Sequence, residues 1–131
     1  MKHLLLTTIA AVVLVGCGKS QSPKAKPSNP EADRALLKAA QAGNIEAVKQ
    51  HIAAGTDLNA RDDDEWAPLH EAVDDGHTEI AKLLITAGAN VNAKGEDGWT
   101  PLNLTHDPET IDLLRKHGGK TKNELEAEAK K

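Results

Sequence analysis

The chain has 131 residues, room for one domain and little more. Its 16 basic and 20 acidic side chains leave it mildly acidic, without the basic footprint that nucleic-acid binding requires. Tyr and Phe are absent and Trp occurs twice, which excludes an aromatic β-sandwich core and a cofactor pocket walled by aromatic rings. The apolar content is Ala, Leu, Ile and Val, suited to small, closely packed helices.

Lys2 and His3 give a short polar start, followed by a mainly apolar run from Leu4 to Val15. Twelve helical residues rise about 18 Å against a hydrocarbon core of roughly 30 Å, so the run is too short to span. Its length is that of the apolar region of a signal peptide, expected here over residues 1–16. Leu14-Val15-Gly16-Cys17 resembles a bacterial lipobox, and Cys17 is the chain's only cysteine. The resemblance implies cleavage after Gly16, a diacylglycerol on the Cys17 thiol and acylation of the new N-terminus. Two or three acyl chains anchor a protein stably where one does so marginally. A secretory signal with a stray cysteine and an uncleaved anchor remain as alternatives. In Gram-negative lipoproteins an aspartate after the cysteine marks inner-membrane retention, so Gly18 implies the outer membrane.

Residues 17–31 read as a linker. From Gly18 to Pro30 there are three lysines, three prolines and no acid, a composition that cannot bury enough apolar surface to offset its ordering entropy. As polyproline it would reach about 40 Å, as a flexible coil about 20 Å. A solvated spacer is expected, with contact of Lys19, Lys24 and Lys26 to anionic head groups as the alternative.

The remainder repeats itself. A shift of 33 lays Leu36 on Leu69, Ala39 on Ala72, Gly43 on Gly76, Gly55 on Gly88 and Asn59 on Asn92. The same shift carries Trp66 to Trp99, Pro68 to Pro101 and Leu69 to Leu102. Pro68 opens a helix where its missing N–H is not needed, predicting one helix over about 68–74. Ile80, Leu83 and Leu84 form the stripe of a second over about 78–86, ended at Gly88 by a left-handed residue. Ala67-Pro68-Leu69-His70-Glu71-Ala72, Thr100-Pro101-Leu102 and the whole stretch from Gly76 to Ala93 resemble the ankyrin repeat. The resemblance spans about residues 32–121. It implies an all-α solenoid of three helix-turn-helix units (32–61, 62–94 and 95–121) with β-turn tips, stabilised by stacking because no unit buries its own apolar face. Residues 122–131, with Leu125 as the only large apolar side chain, are expected to form a charged tail that runs as a frayed helix.

Three departures from the repeat carry expectations. The first unit opens with Glu31-Ala32-Asp33-Arg34, as a polar N-terminal cap should. In the third, Leu83 matches Leu113 and Gly88 matches Gly118, a shift of 30, so three residues are missing around His106-Asp107-Pro108. The family's threonine-to-histidine bond between turn and helix is split, since the central unit has Ala67 with His70 and the last has Thr100 with Asn103. Each such bond contributes about 1 kcal/mol, so modest stability is expected. The turn glycine, present as Gly98, is replaced by Glu65, which costs roughly 1 kcal/mol if the backbone there takes positive φ.

Chemistry is sparse. His51, His70, His77, His106 and His117 show no metal-ligand spacing, and no nucleophile motif, P-loop or dinucleotide fingerprint occurs. Asp62-Asp63-Asp64-Glu65, Asp74-Asp75 and Glu96-Asp97 fall on turns, exposed and without a pocket to shift them. No enzyme, metal, cofactor, nucleic acid or small-molecule substrate is expected. Recognition falls instead to Trp66 and Trp99 at the turn-to-helix junctions, with Asp63, Asp64, Glu65, Glu71, Glu96, Asp97 and Asn103 around them. Trp is enriched at interface hot spots, and an aromatic anchor inside an acidic rim suits a basic protein surface. The alternative is that each indole packs on its neighbouring turn. The expected role is a protein-binding module lipid-anchored in a bacterial envelope; an envelope inhibitor that neutralises one toxic enzyme and a structural spacer are the alternatives.

Overall fold

The structure is a computed structural model that describes residues 29–131. The signal peptide expected over 1–16, Cys17 and the linker as far as residue 28 lie outside the described residues. Six α-helices and one 3₁₀ helix follow one another, with no strand among the described residues. None of these helices is long and apolar enough to cross a membrane.

Helix α1 (Pro30–Ala42) starts two residues before the expected domain boundary. Asn29 accepts a hydrogen bond from the Ala32 N–H at 3.2 Å, and Pro30 sits in the first turn. Asparagine followed by proline is a helix start in its own right; inside a Pro/Lys-rich stretch it read as linker. Helix α2 (Ile45–Ala54) is capped in the same way by Asn44. Helices α3 (Pro68–Asp74) and α4 (Thr78–Thr86) of the central unit fall where the stripe and the proline put them. The third unit is shorter: a 3₁₀ helix (Pro101–Leu104) replaces its first α-helix, and α5 (Pro108–Lys116) is its second.

Equivalent residues stack. Leu36, Leu69 and Leu102, each one repeat apart, are buried side by side in α1, α3 and the 3₁₀ helix. Leu84 and Leu114 do the same in α4 and α5, which the Thr78 and Thr110 hydroxyls also join at 2.8 Å. Asn59 Oδ1 accepts from the Asn90 N–H at 2.8 Å, and one unit later Asn92 Oδ1 accepts from the Lys120 N–H at 2.7 Å. The donors are 30 residues apart while the asparagines are 33 apart, so the shortened unit loses its three residues without losing this ladder.

The tail is not frayed. Helix α6 (Lys122–Ala129) begins with a reciprocal cap: the Glu124 N–H donates to Thr121 Oγ1, and Glu124 Oε2 accepts from the Thr121 N–H at 2.9 Å. Arg115 holds the same carboxylate at 2.9 and 3.0 Å, and Lys122 Nζ donates to the Asp97 carbonyl at 2.8 Å. The Arg115 guanidinium, with help from Thr121, keeps the Glu124 carboxyl down at about 2. None of α6 is buried, so polar contacts and not an apolar face dock it.

Candidate protein-binding site

The turns between units set the site. Asp62 N–H donates to the Trp66 carbonyl at 3.0 Å, and Gly95 N–H donates to that of Trp99 at 2.9 Å, the same closure one repeat on. Neighbouring turns are joined by Glu96 N–H to the Asp64 carbonyl at 3.2 Å and by the Arg61 guanidinium, which donates to the Lys94 carbonyl. Glu65 has φ 62° where Gly98 has 79°, so the positive-φ expectation holds for this glutamate.

The split threonine–histidine pair is mended in both units. His70 is fully buried; its Nδ1 accepts from the Ala67 N–H at 3.0 Å, and its Nε2–H donates to the Trp99 carbonyl at 3.0 Å. Burial lowers its pKa, which suits a neutral ring with one nitrogen accepting. In the third unit Asn103 Oδ1 accepts from the Thr100 N–H at 3.0 Å and lies 3.1 Å from the Thr100 hydroxyl. That hydroxyl also reaches the Lys120 carbonyl at 2.6 Å. The turn-to-helix bond expected to be missing from the third unit is therefore present, because an amide oxygen does the work of a ring nitrogen.

Of the residues expected to face a partner, Asp64, Trp66, Glu71, Glu96 and Asp97 line one groove of about 350 Å³. Gln41 and the Asp74-Asp75 pair complete it, so the groove has six carboxylates and no cation in its wall. Asp63 lies in a neighbouring cavity of about 480 Å³ between α1 and the turn, walled also by Asp33, Arg34, Lys38, Arg61 and Asp62. Glu71 lines both. Three expected residues line neither cavity: Trp99, Glu65 and Asn103. Glu65 turns back to Arg61 at 3.7 Å, and Asn103 is held by the Thr100 and Lys122 backbone N–H groups.

The tryptophans part company. Trp66 is half-buried, stacked on His70 with centroids 5.8 Å apart, and Gly95 of the next turn passes against it. A Cβ on Gly95 would come within 2.9 Å of Trp66 Cδ1, so glycine is what permits the approach. Trp66 thus packs on its neighbouring turn. Trp99 is 47% exposed, the large apolar side chain left open among the described residues, and does not line the groove.

The acids were expected to be exposed and without a pocket; the stacking makes one. Glu71 is 9% exposed. Burial, a hydrogen bond with Asp62 and the charges of Asp62, Asp75 and Asp74 push its carboxyl up to about 7. Asp74 and Asp75 were missed as groove residues, although Glu71 lies three and four residues before them, on one helix face. Among the described residues no group of His, Cys, Asp or Glu is arranged to hold a metal ion.

Comparison with curated proteins finds no match. A family model described as ankyrin repeats (three copies) matches residues 36–124, more than half of the chain and reaching into α6. With the three stacked units and their repeated turns, that match places the chain in the ankyrin repeat family, whose members are in general protein-binding scaffolds without catalytic activity.

Proposed function

We propose that this protein is a lipid-anchored binding module of a bacterial envelope, and that its acidic groove takes a basic segment of a partner protein. The observation that carries the second half is the groove wall itself: six carboxylates from two turns and the end of α3, with no Lys or Arg among them. Such a wall repels itself until a cation enters, and it steers basic surfaces towards it over about a Debye length. Trp99, exposed two residues beyond Asp97, supplies an apolar anchor beside it. The anchor rests on the lipobox-like Leu14-Val15-Gly16-Cys17 and on the linker that follows.

Crosslinking from intact envelopes, followed by capture of the full chain, tests both halves. A partner that is retained by the native protein, weakened by salt and lost on combining Asp74→Asn, Asp75→Asn and Asp97→Asn is the expected result. Capture that is indifferent to salt and to these changes rejects the groove. Globomycin should block processing, and Cys17→Ser should release the protein from membranes; a variant that stays membrane-bound rejects the lipid anchor. One stoichiometric partner that is an enzyme would assign the inhibitor role, and no partner at all the spacer.

A further inference from the structure

We infer that the open edge of the third unit's turn takes a turn of the bound partner, a protein segment that lays a glycine against Trp99 as Gly95 lies against Trp66. The inference rests on the reading of the chain as a protein-binding module and not on the acidic groove, which Trp99 does not line.

The molecule contains the same site in its occupied form, one repeat back. There the turn of residues 95–99 stacks on that of residues 62–66. Gly95 passes against the Trp66 indole, where a Cβ would fall 2.9 Å from Cδ1 and 3.1 Å from Nε1. The Glu96 N–H donates to the Asp64 carbonyl at 3.2 Å, the Arg61 guanidinium donates to the Lys94 carbonyl, and His70 Nε2–H donates to the Trp99 carbonyl at 3.0 Å.

A shift of 33 names the group that stands at each of these places on the outer edge of the third turn. Trp99 stands for Trp66, with its ring uncovered. Lys94 stands for Arg61; it is exposed and enters none of the ion pairs among the described residues. The Asp97 carbonyl stands for that of Asp64, and Lys122 Nζ donates to it at 2.8 Å. Only the His70 place is closed, since Asn103 Oδ1 already serves the Thr100 and Lys122 N–H groups. Lys122 holds a place for the occupant: its Cε lies 3.4 Å from where a Cβ on Gly98 would be, along the face on which another turn would stack. An ammonium on a four-carbon stem swings aside readily. A partner's backbone N–H replaces it at Asp97 while Arg115 and Thr121 keep hold of Glu124 in α6.

The same geometry selects the occupant. Main chain alone approaches the indole as Gly95 does, so the residue opposite Trp99 must be glycine. A second copy of this chain would present Asp62, the counterpart of Gly95, and its Cβ would meet the ring. The row of turns is therefore closed to the chain's own central turn and open to a glycine-bearing turn of another protein.

The test is a titration of the isotope-labelled full chain, in mild detergent, followed by nuclear magnetic resonance. The probe is an unlabelled, backbone-cyclised peptide of the chain's own residues 93–101, the segment that covers Trp66 within the molecule. It carries Lys94 against Glu96 and Asp97, so it is acidic and unsuited to the groove. The Trp99 indole N–H should shift saturably, while the Trp66 indole and the Asp74 and Asp75 amides stay in place. The peptide with Gly95→Ala should bind about tenfold more weakly, and a cyclised peptide of residues 60–68, with Asp62 in the glycine's place, should leave Trp99 unmoved. Lys122→Ala in the chain frees the Asp97 carbonyl and should tighten binding. No shift at Trp99 up to millimolar peptide, equal binding of the Gly95→Ala peptide, or shifts at Asp74 and Asp75 instead of Trp99 overturn the inference. A Trp99 signal that moves with protein concentration alone makes a second copy the occupant and overturns it too. Failure of the groove shows elsewhere, as capture indifferent to salt and to the Asp74, Asp75 and Asp97 changes, and leaves this titration untouched.

Discussion

The central and third units carry the same turn, 33 residues apart, built from different side chains. In the first, Asp62, Glu65, Trp66, Ala67 and His70 occupy the positions that Gly95, Gly98, Trp99, Thr100 and Asn103 occupy in the second. The backbone closes alike in both. What differs is what comes next. The central turn is followed by another turn, which covers Trp66 and receives His70 Nε2–H. The third is followed by the abbreviated cap and α6, which leave Trp99 open. In a stacked fold, exposure at a repeat position is decided by the neighbour and not by the residue type.

The sharpest way to break that comparison is at the residues that tie turn to helix. His70→Ala leaves the buried Ala67 N–H without its acceptor, takes one donor from the Trp99 carbonyl and opens a cavity under Trp66. A loss of about 3 kcal/mol is expected in chemical denaturation. Asn103→Ala strips the Thr100 and Lys122 N–H groups of the same oxygen, but Asn103 is partly exposed and water can enter. About 1 kcal/mol is expected there. Equal losses would mean that the two units are held in the same way after all.

The tryptophans give the next largest contrast. Trp66→Ala should cost about 2 kcal/mol, less than a fully buried ring would, and Trp99→Ala well under 1 kcal/mol. Partner capture should respond in the opposite order, since only Trp99 offers an uncovered ring. If Trp99→Ala melts the protein as much as Trp66→Ala does, the open ring is carrying structure and the assignment fails.

Local signals were legible and non-local ones were not. Helices α3 and α4 follow from a proline, a glycine and an i, i+3, i+4 stripe, all readable within one window. The docking of α6 depends on Arg115 meeting Glu124 and on Lys122 reaching the Asp97 carbonyl, contacts that Leu125 alone gives no reason to expect. The groove was half visible: Asp64, Glu96 and Asp97 lie on recognisable turns. The burial of Glu71 is produced by α1 of the preceding unit and has no signature of its own. Asn103 was placed among the partner-facing residues around the tryptophans, whereas its amide oxygen fills the bond that the family's histidine makes.

The smallest effect is also the cleanest comparison of the two turns. Glu65 and Gly98 share a left-handed backbone, φ 62° and 79°. A side chain in that region crowds the following carbonyl by about 1 kcal/mol, a strain glycine does not have. Glu65→Gly should therefore raise stability, by somewhat under 1 kcal/mol, because it gives up a 3.7 Å ion pair with Arg61 that is exposed and contributes little. Gly98→Ala should lower stability by about 1 kcal/mol at the equivalent place. The pair of melting temperatures, moving in opposite directions, would show that both turns demand the same conformation and that the central one meets it under strain. A fall in melting temperature for Glu65→Gly would instead make the Arg61 contact the stronger term and overturn the strain argument.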